Sequence, residues 1–307
     1  MKFTSTQENL HKGLLTVQGI TGQTTTLPIL KNIHLAAQNG ILTIKGTDLE
    51  IGITSSIRGK VDREGEITVD AKILTNFVGL LPQDKVDLTV DKNTVIVQGG
   101  SHKTRINGSS VEDFPVIPTV SKDASLTIAV AEIKKALAQV LPAVSLDDTR
   151  PEINGVYCKI SGNELILVGT DSYRLAEKKI ALTENKNVNG SFIVPLKTAK
   201  EFARTLSDEG ETVEIGVADN QILFSYDSTE MVSRLVDGDY PDYKQIIPTS
   251  HSVKFVLGKD EFINAVKISG LFAAIGSNSV TLEVKPKNSV RVSSATSAGE
   301  ERTDMSG

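Results

Sequence analysis

The feature that most constrains this chain is that it repeats itself. Residues 28–48 lie over 151–171 without a gap, at an offset of 123. Both segments open on a proline, Pro28 and Pro151, and close on Gly46-Thr47-Asp48 and Gly169-Thr170-Asp171. Between them Leu30 matches Ile153, Ile33 matches Val156, Leu42 matches Leu165 and Ile44 matches Leu167. Upstream, Leu10, Leu14 and Val17 fall on Ile133, Leu137 and Val140, and Phe3 on Leu126. At offset 125, Val69, Lys72, Phe77 and Leu81 meet Val194, Lys197, Phe202 and Leu206. At offset 126, Asp113-Phe114-Pro115 meets Asp239-Tyr240-Pro241. Three blocks in one order at nearly constant offset mean two copies of one module.

A third copy opens near residue 249. Residues 252–256 alternate like the strand expected at 125–129, and 260–268 have helical spacing. Two alternating strands follow at 280–284 and 290–292. The expected modules are therefore 1–120, 121–248 and 249–307, the last incomplete. By the repeat length it holds less than half of its residues, which suggests a C-terminally truncated copy. The tail 298–307 carries no strand pattern that would close it. Within a module, Leu10, Leu14 and Val17 form one apolar helical stripe, as do Ile133, Leu137 and Val140. A second helix is expected at 71–81 and again at 196–206. Alternating strands lie between, with turn chemistry at Gln38-Asn39-Gly40 and Asp91-Lys92-Asn93. The expected fold class is α+β, each module packing two helices on one face of antiparallel sheets.

Charge and composition then limit what such a repeat can do. The net charge is −5, which argues weakly against a nucleic-acid binder. The five expected helices nevertheless total +4, so an acidic chain can hold a mildly basic helical layer. Solvated helix faces carry lysine in any protein, so the bias is small. A single cysteine, Cys158, leaves no intramolecular disulfide and fits a reducing cytoplasm. No apolar run is long enough for a membrane helix, and the N-terminus lacks the apolar core of a signal peptide.

No catalytic motif is present: there is no phosphate loop, no dinucleotide glycine pattern and no metalloprotease helix. His11, His34, His102 and His251 lie far apart in sequence and read as surface residues, not metal ligands. Cys158 sits in an apolar alternating strand and reads as a small core residue. The first Gly-Thr-Asp reads as an ordinary turn at a strand end. The second continues as Ser172-Tyr173-Arg174-Leu175-Ala176, a mixture typical of interaction hot spots. Three readings stay open on the residues alone. They are a DNA-holding protein, an enzyme using Asp171, Asp239 and Arg174, and a peptide-binding adaptor.

Ordered motifs along the whole chain resemble one family. They are Met1-Lys2-Phe3, Thr26-Leu27-Pro28-Ile29-Leu30 with Asn32, Gly46-Thr47-Asp48-Leu49-Glu50 and Glu112-Asp113-Phe114-Pro115. Further on come Gly169-Thr170-Asp171 with Arg174-Leu175-Ala176, Ile193-Val194-Pro195, and Leu235-Val236-Asp237-Gly238 through Tyr240-Pro241-Asp242-Tyr243. The chain resembles the bacterial replicative sliding clamps, the beta subunits of DNA polymerase III. That resemblance implies the DNA-clamp fold and a head-to-tail homodimeric ring around double-stranded DNA. It implies a processivity factor of the cytoplasm without catalysis, cofactor, metal or membrane. Sequence-independent phosphate contacts would come from Lys12, Lys72, Lys134, Lys197, Lys200, Arg204 and Lys267 on the lining helices.

The resemblance also implies a hydrophobic pocket for the polymerase alpha subunit, the clamp loader and other proteins bearing a clamp-binding motif. Its residues would be Ile153, Thr170, Ser172, Tyr173, Arg174, Leu175, Pro241, Gln245 and Ile246. Tyr173 stands where the family often has His, Ser172 where it often has Gly, and Gln245 where it can have Arg. The family's C-terminal tail completes this pocket, and no such tail is expected here. The ring seam would join Thr104 and Ile106 of one subunit to Leu271 and Phe272 of the other.

Overall fold

A computed structural model describes residues 1–22, 27–207, 210–218, 220–273, 279–285, 289–297 and 299–306. Thr26 of the motif series and Ala298 and Gly307 of the tail fall outside them. Five helices are described: α1 (Gln7–Gln18), α2 (Ala71–Gly79), α3 (Val130–Val140), α4 (Leu196–Thr205) and α5 (Lys259–Ala273). Helix α1 begins where the Thr6 hydroxyl accepts from the Asn9 amide, and α2 where the Asp70 carboxylate accepts from that of Ile73. The stripe Leu10, Leu14 and Val17 of α1 is fully buried, as are Ile133, Leu137 and Val140 of α3. The hairpin at Asn39 and Gly40 has positive φ at both residues, 51° and 76°, the geometry that lets two residues reverse a twisted ladder.

The chain divides into two compact units, Met1–Pro241 and Asp242–Gly307. The first contains both complete repeats. What fuses those repeats is one antiparallel sheet of fourteen strands among the described residues. Its second-repeat half runs Glu184–Lys186, Ser125–Ala129, Thr212–Val217, Gln221–Tyr226, Thr229–Arg234. It continues directly into Ile51–Arg58, Ile41–Thr47, Asn32–Gln38 and Gly65–Asp70 of the first repeat. His102–Ser109, Thr94–Gly99, Lys85–Asp91, Lys2–Thr6 and Lys60–Arg63 complete it. A second sheet orders Leu175–Ala181, Glu164–Thr170, Gly155–Ser161 and Gly190–Pro195.

The duplication extends to register. The hairpin pairing Thr94 with Asn107 and Gly99 with His102 recurs as Gln221 with Arg234 and Tyr226 with Thr229. The strands of the second sheet pair Thr170 with Leu175, as Thr47 pairs with Gly52. Cys158 is buried, and burial pushes its thiol far above the ordinary range, which leaves it unreactive.

In the second unit, α5 packs on a sheet of Thr281–Lys285, Ser289–Thr296 and Gly299–Ser306. Ala265, Val290, Val292 and Met305 are its core. Two expectations fail here. Residues 252–256 form no strand, because among the described residues no neighbouring strand supplies partners for that backbone. The tail does form one, Gly299–Ser306. Its alternation is carried by charges and hydroxyls, not by apolar residues. Arg291 grips Asp304 through two bonds of 2.8 and 2.9 Å, Ser269 bonds Glu301, and Met305 alone is buried.

Phe202 of α4 stacks on Phe224, ring centroids 4.0 Å apart, and meets Tyr226 edge-on at 5.8 Å. Phe202→Ala should cost about 3–5 kcal/mol of the first unit's stability, read as a lowered urea midpoint.

Candidate functional site

The helices of the two repeats form a continuous row. Helix α1 packs against α2 and α3 against α4. Between the pairs, Arg204 of α4 reaches the C-terminal end of α1. Its guanidinium donates to the Leu15 and Thr16 carbonyls at 3.2 and 2.8 Å, and also holds Glu201 at 2.6 Å. Those carbonyls are among the unpaired acceptors that every helix end leaves, and a cation suits the negative end of the dipole. The approach is close because residue 19 is glycine. Its φ of −56° is ordinary, yet a Cβ there would collide with Glu201 and Arg204. The second bridge joins Lys197 to Asp48 at 2.5 Å, with Glu50 at 3.9 Å.

The expected DNA-facing residues therefore separate. Lys12, Lys72 and Lys200 are exposed on α1, α2 and α4, and Lys134 is half-buried on α3. Among the described residues Lys72 and Lys200 have no ion-pair partner. Lys197 and Arg204 are also exposed but are paired within the chain, where they fasten one repeat to the other. Lys267 is exposed on α5, in the second unit. The expected seam residues Thr104 and Ile106 lie on His102–Ser109, with Ile106 buried. Leu271 is exposed and Phe272 half-buried on α5.

The expected pocket centres on a turn built by its own backbone. The Thr170 hydroxyl donates to the Arg174 carbonyl at 2.8 Å and accepts from the Ser172 amide at 3.2 Å. Asp171 Oδ1 accepts from the amides of Tyr173 and Arg174 at 3.0 and 2.9 Å, and its Oδ2 takes the Arg174 guanidinium at 2.9 Å. These bonds hold the Asp171 carboxyl below its ordinary pKa, those from the Arg174 amide foremost. They hold Ser172 at φ 75°, and they leave Tyr173 98% exposed. A side chain in that left-handed region costs about 1–3 kcal/mol, which the surrounding bonds offset. Ile153 and Thr170 are buried, Leu175 is half-buried and Pro241 exposed. Gln245 and Ile246 are exposed in the second unit. Arg174 is tied to Asp171 itself, so this pair offers no free carboxylate for acid–base chemistry.

The first repeat contains the same turn with the same bonds to the backbone, lacking only the guanidinium bond of Arg174. The Thr47 hydroxyl donates to the Ile51 carbonyl at 2.8 Å, Asp48 Oδ1 accepts from Glu50 and Ile51, and Leu49 has φ 78°. Beside each turn an aromatic pair also repeats. Tyr240 stacks on Tyr157 at 4.7 Å, and Phe114 lies 5.6 Å from His34. Gly19, Glu201, Tyr157 and the bridging role of Asp48 were missed in the sequence. The Asp113-Phe114-Pro115 and Asp239-Tyr240-Pro241 repeat was the signal that could have found the aromatic pairs.

Asp171→Asn should speed hydrogen exchange at the Tyr173 and Arg174 amides. A depressed pKa keeps the carboxylate charged, so in the native chain this protection should persist at neutral pH. It should be lost only as pH falls below the ordinary carboxylate range, which an exchange series from pH 7 downward reads.

Residues 1–118 match the family described as DNA polymerase III beta subunit, N-terminal domain, and 127–242 match its central domain. The beta sliding clamp of Bacillus subtilis is 30% identical over 304 residues, covering 96% of this chain and 80% of that protein. That of Staphylococcus aureus is 33% identical over 268 residues, covering 83% and 70%. The crystal structure of the DNA polymerase sliding clamp from Bacillus subtilis superposes with a TM-score of 0.92 at 29% identity, covering 99% of this chain and 83% of that one. A sliding clamp from Pseudomonas aeruginosa bound to griselimycin gives 0.91 at 25%, covering 100% and 84%. Two successive family matches, a relative spanning nearly the whole chain and a shared fold agree: the chain belongs to the bacterial DNA polymerase III beta subunits, the beta sliding clamps, which are non-catalytic processivity factors.

Proposed function

We propose that this chain acts as a head-to-tail homodimeric ring around duplex DNA in the cytoplasm, tethering the replicative polymerase through its alpha subunit. The modules of that ring are 1–120, 121–248 and 249–307. The observation that carries the reading is the ladder between the first two repeats. Thr229–Arg234 of the second pairs with Ile51–Arg58 of the first. By register, the counterpart of Thr229–Arg234 is His102–Ser109, and the counterpart of Ile51–Arg58 is Leu175–Ala181. Among the described residues, the outer edge of Leu175–Ala181 and residues 102–107 on the corresponding edge of His102–Ser109 pair with nothing. The first repeat thus leaves open the edge through which the second repeat pairs. Repetition of one head-to-tail contact either closes into a ring or grows as a filament. Thr104 and Ile106 sit on one open edge; Leu271 and Phe272 are proposed as the facing surface.

A ring holds DNA by topology and needs only loose phosphate contacts. Lys12, Lys72, Lys134, Lys200 and Lys267 supply them, with Lys197 and Arg204 contributing charge already shared with carboxylates. The clamp loader and other motif-bearing proteins dock at Ile153, Thr170, Ser172, Tyr173, Arg174, Leu175, Pro241, Gln245 and Ile246 by inserting an apolar anchor. The griselimycin-bound relative supports a ligand-accepting pocket on this fold.

Two experiments test this reading. Lys12→Glu with Lys200→Glu should shorten retention on closed circular DNA after loading and flatten its salt dependence by about one unit per lost phosphate contact. The control pair, Lys159→Glu with Lys179→Glu on exposed sheet positions, should change neither. Equal loss from both pairs removes the lining assignment. Separately, Leu175→Ala should weaken a clamp-loader peptide by about tenfold or more in fluorescence anisotropy.

A further inference from the structure

We infer that the first repeat carries a peptide-docking cleft of its own, which takes a short segment with an aliphatic anchor beside a carboxylate. The inference rests on reading the second-repeat turn as a peptide pocket, and extends that chemistry to a place not yet described. Across the ladder between the repeats lies a cavity of about 490 Å³. Its lining includes Thr47, Leu49, Glu50, Ile51, Gly52 and Pro115. At the repeat offsets these are the counterparts of Thr170, Ser172, Tyr173, Arg174, Leu175 and Pro241. Every one of those six counterparts belongs to the proposed second-repeat pocket. The far wall comes from the second repeat itself, through Gln221, Val232 and Arg234.

The chemistry of the lining selects the occupant. Leu49 is 51% exposed, held at positive φ by the same bonds that hold Ser172. Val116 on the connecting segment is 92% exposed. Ile51 and Val232 are buried beneath them. Two bare aliphatic side chains over an apolar floor suit an aliphatic anchor. Gly52 matters where the second repeat has Leu175. A Cβ there would strike Ile117, so glycine lets the connecting segment lie down and form the wall with Pro115 and Pro118.

Charge narrows the partner further. Asp48 is taken by Lys197, and Glu50 has the same lysine at 3.9 Å. Arg234 is exposed at the cleft and, among the described residues, has no ion-pair partner. Glu50 has only a share of that lysine, so the cleft holds one carboxylate and one guanidinium, and the guanidinium is the group that a ligand carboxylate satisfies in bidentate fashion. The edge of Ile51–Arg58 is already paired, so the peptide docks by side chains and not by adding a strand.

The probe is fluorescent acetyl-Ala-Asp-Leu-Leu, with acetyl-Ala-Asn-Leu-Leu for comparison, titrated into the full chain by anisotropy and followed by amide chemical shifts. Two equivalents should bind, with shifts at Leu49 and Arg234 as well as at Tyr173 and Leu175. Arg234→Glu should weaken one equivalent about tenfold or more, and Arg234→Lys should restore part of it. Leu49→Asn should do the same without unfolding, because asparagine tolerates the left-handed turn. One equivalent lost with Leu175→Ala and insensitive to Arg234→Glu and Leu49→Asn overturns the first-repeat cleft and leaves the second-repeat pocket standing. One equivalent lost with Arg234→Glu and insensitive to Leu175→Ala does the reverse. No binding of either peptide overturns both.

Discussion

The backbone ladder between Ile51–Arg58 and Thr229–Arg234 is the contact on which the first unit depends. Each repeat leaves one strand edge with its amides and carbonyls unspent, and such an edge must be paired, covered or guarded. Pairing one repeat's edge with the next joins the two modules through one shared sheet and a single hydrophobic core. The side chains then adjust to that join. Lys197 and Arg204 leave the set of free lining cations to secure it, and Gly19 stays small so that Arg204 can.

The same ladder explains why the two Gly-Thr-Asp turns carry different surroundings while sharing the bonds of Thr and Asp to the turn backbone. In the first, Asp48 is neutralised across the junction by Lys197; in the second, Asp171 is neutralised by its own Arg174. The first turn presents Leu49 to a walled cleft, and the second presents Tyr173 to solvent. A duplicated scaffold thus supplies two similar places, and its neighbours decide what each can hold.

Most of the fold was legible because its signals are local. Burial of one helix face writes a period of 3.6, pleating writes a period of two, and both survive in each copy of the repeat. The failures are equally physical. Residues 252–256 alternate, yet alternation without a neighbour makes no strand. The strand Gly299–Ser306 alternates in charges and hydroxyls, which an apolar pattern does not register, and it is held by Arg291 and Asp304 instead.

By itself, the sequence determined the repeat, the α+β class, the family, and the residues from which a pocket and a basic helical row could be drawn. The tertiary structure decided which of those residues are free to act. Lys72 and Lys200 keep their charges, while Lys197 and Arg204 have theirs bound, although all four are basic residues on second-position helices. The reason is distance along the chain. Asp48 is far from Lys197 in sequence, as is Leu15 from Arg204, and such partners are chosen only when two modules meet.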